Sequence, residues 1–302
     1  MSARSKAFTI AEMLVAIAMS MVLMLALFEL YESTQKIFFN TNSISGAEEN
    51  AYNAYAVMQK FFDRWGVGVP SNTNSTGGYP PPAPNYVSIS SGSPCDSLTF
   101  YADLYGLGVV QSVSSGTANM ISCRLSTTDN SGNPQCYYLL SGTNFYYSNS
   151  SNTSPDLFTI PSIDPDNANC ISSTNSNASI SNATIYDVTT NASYTLSPGN
   201  ILYAVPYQVT FFCQSNTNDN NNLWLYVQTI NEAAQSSTSC GSPSPNIQPV
   251  APVSSVHFNA YPSGCMSTNS CNMIQATIGV NSQEKNASGG TSSITFSFYF
   301  YK

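Results

Sequence analysis

The chain has 302 residues, a formal net charge of −8, and charged side chains at only 8% of positions. That length suffices for one sizeable core, and an acidic chain with eight Lys+Arg makes a poor nucleic-acid binder. A single histidine, His257, and the absence of any C-x-x-C pair argue against a zinc constellation. With so few charges, the surface must be covered by Asn, Ser, Thr, Gln and Tyr.

Residues 1–7, MSARSKA, form a short basic leader carrying Arg4 and Lys6. The 21 residues from Phe8 to Phe28, FTIAEMLVAIAMSMVLMLALF, are almost wholly apolar. At about 1.5 Å per residue the run spans roughly 30 Å, the thickness of a bilayer core. Glu12 is the exception, since an ionised group in that setting costs about 2–3 kcal/mol. An ordinary secretory signal would use Ala16-Ile17-Ala18 as its A-x-A site, but that site lies inside the apolar run. A plain single-pass anchor explains the length and gives no reason for Glu12. Lys6-Ala7 before Phe8, with Glu12 as the fifth residue of the run, resembles the type IV prepilin signal. The resemblance implies that a prepilin peptidase cuts between Ala7 and Phe8 and methylates the new amino terminus. It also implies a role in assembly, in which the Phe8 amine of one subunit pairs with Glu12 of its neighbour. A buried unpaired charge is costly, so docking where the partner charge waits is favourable. Arg4 and Lys6 on one side of the run, with Glu29 and Glu32 on the other, leave the leader in the cytoplasm.

Residues 29–65 are expected to continue the helix in amphipathic form. Ile44, Ala47, Ala51, Ala54, Met58, Phe61 and Trp65 recur at three- and four-residue steps, with Tyr55 and Phe62 broadening the stripe. Gly46 is a candidate kink, and Gly66, Gly68 and Pro70 stop the pattern. Residues 66–94 read as a Pro/Gly/Ser linker. From Cys95 to Lys302 the signals are those of strands: 97–102, 107–113, 119–125, 136–140, 201–212, 223–229, 253–258, 272–280 and 293–301 are rich in Val, Ile, Tyr, Phe and Thr. Pro206 inside the fifth of these calls for an edge strand or a bulge. The Asn- and Ser-rich stretches 148–183 and 214–222 read as loops. The expected fold is therefore α+β and pilin-like: a long amino-terminal helix, half transmembrane and half amphipathic, packed on an antiparallel β-sheet in a disulfide-bonded domain.

All eight cysteines lie beyond the anchor, which places the globular part in an oxidising compartment. Proximity along the chain pairs Cys123 with Cys136, Cys265 with Cys271, Cys213 with Cys240, and Cys95 with Cys170. His257 sits on a candidate strand and reads as structural. Asp164-Pro-Asp166 lacks the Gly and Glu of a calcium loop. The tyrosines at 137, 138, 146, 147, 299 and 301 suit sheet faces. No catalytic device, metal or cofactor is expected.

"MQKFFDRWGVGVP", "DSLTFYADLYG", "ILYAVPYQVTFF" with "LWLYVQT", and "CNMIQATIGVNSQEK" are similar to the helix end, first strand, central hairpin and penultimate strand of PilW-type minor pilins. This resemblance implies a non-enzymatic filament subunit that primes assembly or sits at the tip. Its partners would be other pilin subunits through the helix, prepilin peptidase, and the inner membrane before assembly. It would be a single-pass inner-membrane protein with its globular part outside the cytoplasm, passing then to an extracellular filament at the cell surface. A J-type pseudopilin of a type II secretion system, and a membrane-anchored surface adhesin or binding module, are the alternatives.

Overall fold

The structure, a computed structural model, describes residues 9–69, 84–122, 125–128, 132–140, 157–164, 176, 178–188, 190–231, 245–285 and 291–302. One helix, α1 (Ile10–Phe62), runs for 53 residues, about 80 Å at the usual rise. It passes Gly46 without interruption. After Phe62 the chain turns, using the positive φ of Gly66 and Gly68, which a residue with a Cβ adopts only with strain. Trp65 bridges to Ala102, and the Gly66 N–H donates to the Tyr101 carbonyl at 2.8 Å.

Sixteen strands follow among the described residues: β1 (Val87–Ser90), β2 (Ser97–Ala102), β3 (Leu107–Ser114), β4 (Thr117–Ser122), β5 (Cys136–Leu140), β6 (Leu157–Thr159), β7 (Ala178–Ile180), β8 (Thr184–Asp187), β9 (Ser193–Thr195), β10 (Ile201–Ala204), β11 (Tyr207–Asn216), β12 (Asn222–Asn231), β13 (Asn246–Pro252), β14 (Ser255–Tyr261), β15 (Met273–Lys285) and β16 (Thr291–Tyr301). A four-residue helix, α2 (Cys265–Thr268), lies between β14 and β15. The strands form three sheets where one was expected. Their orders are β1-β2-β11-β12-β13, β7-β4-β3-β10-β5-β6-β8-β9, and β14-β15-β16.

The eight-stranded sheet is an insertion. It is built from the chain between β2 and β11, which are themselves hydrogen-bonded neighbours, with Tyr207 opposite Ala102. The run 201–212, expected as one strand, is therefore two, and they belong to different sheets. Val205 and Pro206 carry the chain across, because proline cannot donate to a ladder. The insertion packs its own core, in which Met120, Tyr137, Leu139, Phe158, Ile180 and Leu202 are buried together.

A second core lies where α1 meets the other two sheets. Phe62 stacks on Phe100 of β2 (4.8 Å between centroids), Phe211 of β11 (6.0 Å) and Phe300 of β16 (4.1 Å). Tyr55 stacks on Phe298 and Phe300. The buried stripe of α1 is Ser43, Ala47, Ala51, Ala54, Met58 and Phe62, continued by Trp65. Two expectations thus shift by one position: Ile44 is 43% exposed beside fully buried Ser43, and Phe62 rather than Phe61 anchors the core. The supposed linker is also shorter than expected, since its residues 87–90 pair with β2 as β1.

Candidate functional site

Across the amino-terminal half of α1 the side chains stand free. Met13, Leu14, Met21, Leu25 and Phe28 are each 63–65% exposed. Among the described residues α1 is the helix long and apolar enough to cross a membrane. The hydroxyl of Ser20 donates to the Ile17 carbonyl and that of Thr34 to the Leu30 carbonyl, so these two present no unsatisfied donor. The first paired charges on α1 are Glu32 and Lys36, at 3.8 Å, beyond the apolar run.

Glu12 sits in the first turn. The Thr9 N–H and hydroxyl each donate to Glu12 Oε2 at 3.0 Å, and the Glu12 N–H donates to Thr9 Oγ1 at 3.3 Å. This is a reciprocal capping box, in which two of the helix's orphan N–H groups find partners. The sequence pattern Thr-x-x-Glu carried that signal, and an account of Glu12 as an assembly charge alone passes over it. Ala7 and Phe8, the expected processing residues, lie outside the described residues.

The cysteines answer differently. Cys265 and Cys271 are joined around α2, as proximity suggests. Cys95 is joined to Cys213, 118 residues away, so the pairings of Cys95 with Cys170 and of Cys213 with Cys240 are both incorrect. Antiparallel register is the reason. Phe211 of β11 lies opposite Leu98 of β2, so two residues further along β11 Cys213 reaches the start of β2 beside Cys95. Cys136 is disulfide-bonded, while Cys123, Cys170 and Cys240 lie outside the described residues.

The Cys95 region also joins two sheets. Cys95 bridges to Val256 of β14, and the Asp96 N–H donates to the Val256 carbonyl at 2.8 Å. Asp96 Oδ1 accepts from the Gly92 N–H, and Oδ2 from the Phe258 N–H, both at 3.0 Å, with His257 Nδ1 3.3 Å away. Burial acts to raise the Asp96 pKa, but these hydrogen bonds outweigh it and hold the carboxyl below its usual value. His257, on β14, thus lies beside a carboxylate that also accepts from the backbone N–H groups of Gly92 and Phe258. Asp164 is tied by its N–H to the Ser179 carbonyl, while Asp166 lies outside the described residues. Tyr137 and Tyr138 are fully buried, whereas Tyr299 and Tyr301 face outward; Tyr146 and Tyr147 lie outside the described residues.

Sequence reasoning missed Asp103, at the point where the chain leaves β2 for the inserted sheet. It is fully buried. Its Oδ1 accepts from the N–H groups of Tyr105 (2.9 Å) and Gly106 (2.7 Å), while Oδ2 has no partner among the described residues. Burial pushes its pKa up to about 7, against the opposing pull of those two amides and the Arg64 guanidinium. Only the Asp-x-x-Gly turn pattern hinted at it.

These features define an α+β, disulfide-bonded chain in which one exposed apolar helix opens onto antiparallel sheets. The chain is similar to an uncharacterized protein of Aquifex aeolicus (strain VF5), with 28% identity over 272 residues covering 88% of each. No family model matches the chain, and no solved structure matches it.

Proposed function

We propose that the chain is a type IV pilin-like subunit, of the PilW-type minor class, held by α1 in a membrane and then packed by the same helix into a filament. The observation that carries this reading is Glu12: one carboxylate in the first turn of a helix whose other side chains through Phe28 are exposed and, apart from Ser20, apolar. A plain anchor gains only the helix cap from a side chain there, which a neutral Gln would close as well, and nothing from the charge. A helix that must dock in register beside its neighbours does gain from the charge, provided each neighbour brings a cation to the same depth. Cleavage at Ala7–Phe8 supplies such a cation, the free amine of Phe8. Two further features fit a filament subunit. The helix continues unbroken from the apolar run into the stripe that packs on the sheets, and the disulfides suit an oxidising compartment.

The capping box makes the test sharper. Glu12→Gln keeps a side chain that can close the box and removes only the charge, whereas Glu12→Leu removes both. Both variants are expected to insert in the membrane, and both to lose incorporation into filaments. If Glu12→Gln assembles as well as the wild type, the charge-docking account is wrong. Mass spectrometry of the mature chain is expected to find an N-methylated Phe8 at its amino terminus. A terminus at Met19 would mean ordinary signal cleavage.

A further inference from the structure

The inserted sheet carries a cleft of about 510 Å³, within the range of roughly 300–1,000 Å³ typical of small-ligand sites. One wall is made by Thr127, Thr128 and Pro134, ahead of β5. The other is made by Asp187, Val188 and Asn191, after β8.

Each wall is fixed by its own hydrogen bonds. In the first, Thr128 bridges to Pro134, the Gln135 N–H donates to the Thr127 carbonyl at 2.9 Å, and the Ser126 N–H donates to the Tyr137 hydroxyl at 2.8 Å. In the second, Asp187 Oδ1 accepts from the Thr190 N–H, and the Asn191 N–H donates to the Asp187 carbonyl at 3.0 Å. Asn191 holds the turn with a φ of 56°. The buried side chain of Ile160 closes the floor and belongs to the core of the insertion. Both walls are therefore set before any ligand arrives, which cuts the ordering cost of binding.

The chemistry of the lining selects the ligand. Thr127, Thr128 and Thr159 offer hydroxyls, Tyr186 a phenol, and Asn191 an amide, and each can both donate and accept. Asp187 accepts only, and the cleft lining holds no cation among the described residues. Such a lining repels phosphates and acidic sugars. It suits a ligand with a neutral rim of hydroxyls and an apolar C–H face to lie against Pro134, Pro161 and Val188. We infer that this cleft binds a short neutral oligosaccharide. It would do so whether or not the chain enters a filament.

The test uses the full chain in a detergent without a sugar headgroup. Saturation-transfer NMR is recorded with cellotriose, maltotriose and triacetylchitotriose, and with trigalacturonate as the acidic comparison. At least one neutral trisaccharide is expected to receive saturation, and trigalacturonate none. Asn191→Gly keeps the left-handed backbone and removes the amide, and Thr127→Val removes one hydroxyl. Each is expected to weaken binding about 3- to 10-fold, the worth of one hydrogen bond, with an unchanged thermal melt. If one variant fails to fold, the other decides. The inference is overturned if no neutral trisaccharide binds at millimolar concentration, if trigalacturonate binds as well as they do, or if the folded variants bind as tightly as the wild type.

Discussion

Two buried aspartates give this molecule opposite responses to pH. Asp103 has a folded pKa near 7, above its unfolded value. The folded chain therefore holds a proton that the unfolded chain has lost between about pH 4 and pH 7, and stability falls as pH rises through that window. The loss amounts to about 4 kcal/mol at most. Asp96 is held below its ordinary value, so its contribution is present above about pH 4 and is lost as pH falls through its lower folded pKa. Asp103→Asn keeps an acceptor for Tyr105 and Gly106 and cannot ionise. Its melting temperature at pH 8 is expected to exceed that of the wild type, and its profile to flatten between pH 5 and pH 7. An unchanged profile would place the titrating group elsewhere. Neither role was legible from composition. A carboxylate reveals its burial only when the turn that encloses it is known, and Asp103 is enclosed by a glycine turn 35 residues before it in sequence: a Cβ on Gly68 would lie 2.9 Å from that of Asp103.

Among the elements, α1 was the most legible, because its apolar period is long and regular. The steps from Ala47 through Ala51, Ala54 and Met58 to Trp65 are those of the buried face. The miss at Ile44 arises from choosing the more apolar of two adjacent residues, and that at Phe61 from choosing between two identical ones, when the helix angle decides which one points inward. Phe62→Ala is expected to cost about 3–5 kcal/mol, whereas Phe61→Ala, half-buried with an edge contact to Phe211, should cost roughly 1–2 kcal/mol; chemical denaturation of the two variants compares them. Gly46→Ala is expected to stabilise the helix by about 0.5–1 kcal/mol, since a Cβ there meets nothing within 4 Å. Of the longer strands, β2, β3, β5, β12 and β16 were found within a residue or two, while the carboxyl ends of β4, β14 and β15 were misplaced by three to five residues and β11 was merged with β10. The strands β6 to β9 were not found, because runs of three or four residues, LFT, ASI, TIYD and SYT, are too short to show alternation. β13 was hidden by Pro249 and Pro252, which are tolerated because it forms the edge of its sheet.

For the molecule as a whole, the sequence announces a helix followed by strands and conceals how those strands divide. Sheet membership is a matter of long-range pairing, and a strand-rich stretch carries no local mark of its partner. The clue was present in Pro206, but only as a break. Because Ala102 and Tyr207 face each other across adjacent antiparallel strands, a two-residue Asn-Gly turn can join them. A chain shortened in this way is expected to fold, to keep the Cys95–Cys213 disulfide, and to melt cooperatively while losing the saccharide cleft. Aggregation of the shortened chain would mean that the inserted core and the helix-bearing core stand only together. A fragment starting at Pro70 is expected to melt well below one starting at Phe38, since it lacks Tyr55 and Phe62.

Phe62 and Phe300 touch in the finished protein, yet a ribosome makes one more than two hundred residues before the other. At roughly 5–20 residues per second, that gap lasts about 12–50 s. During this time the aromatic side chains at 52, 55 and 62 face the nascent chain without β16 to cover them. They are a sticky surface for chaperones, for export machinery and for other unfinished copies. Nearly half of that wait is spent making residues 103–206, so the inserted sheet adds a hazard in biogenesis that the folded structure no longer displays.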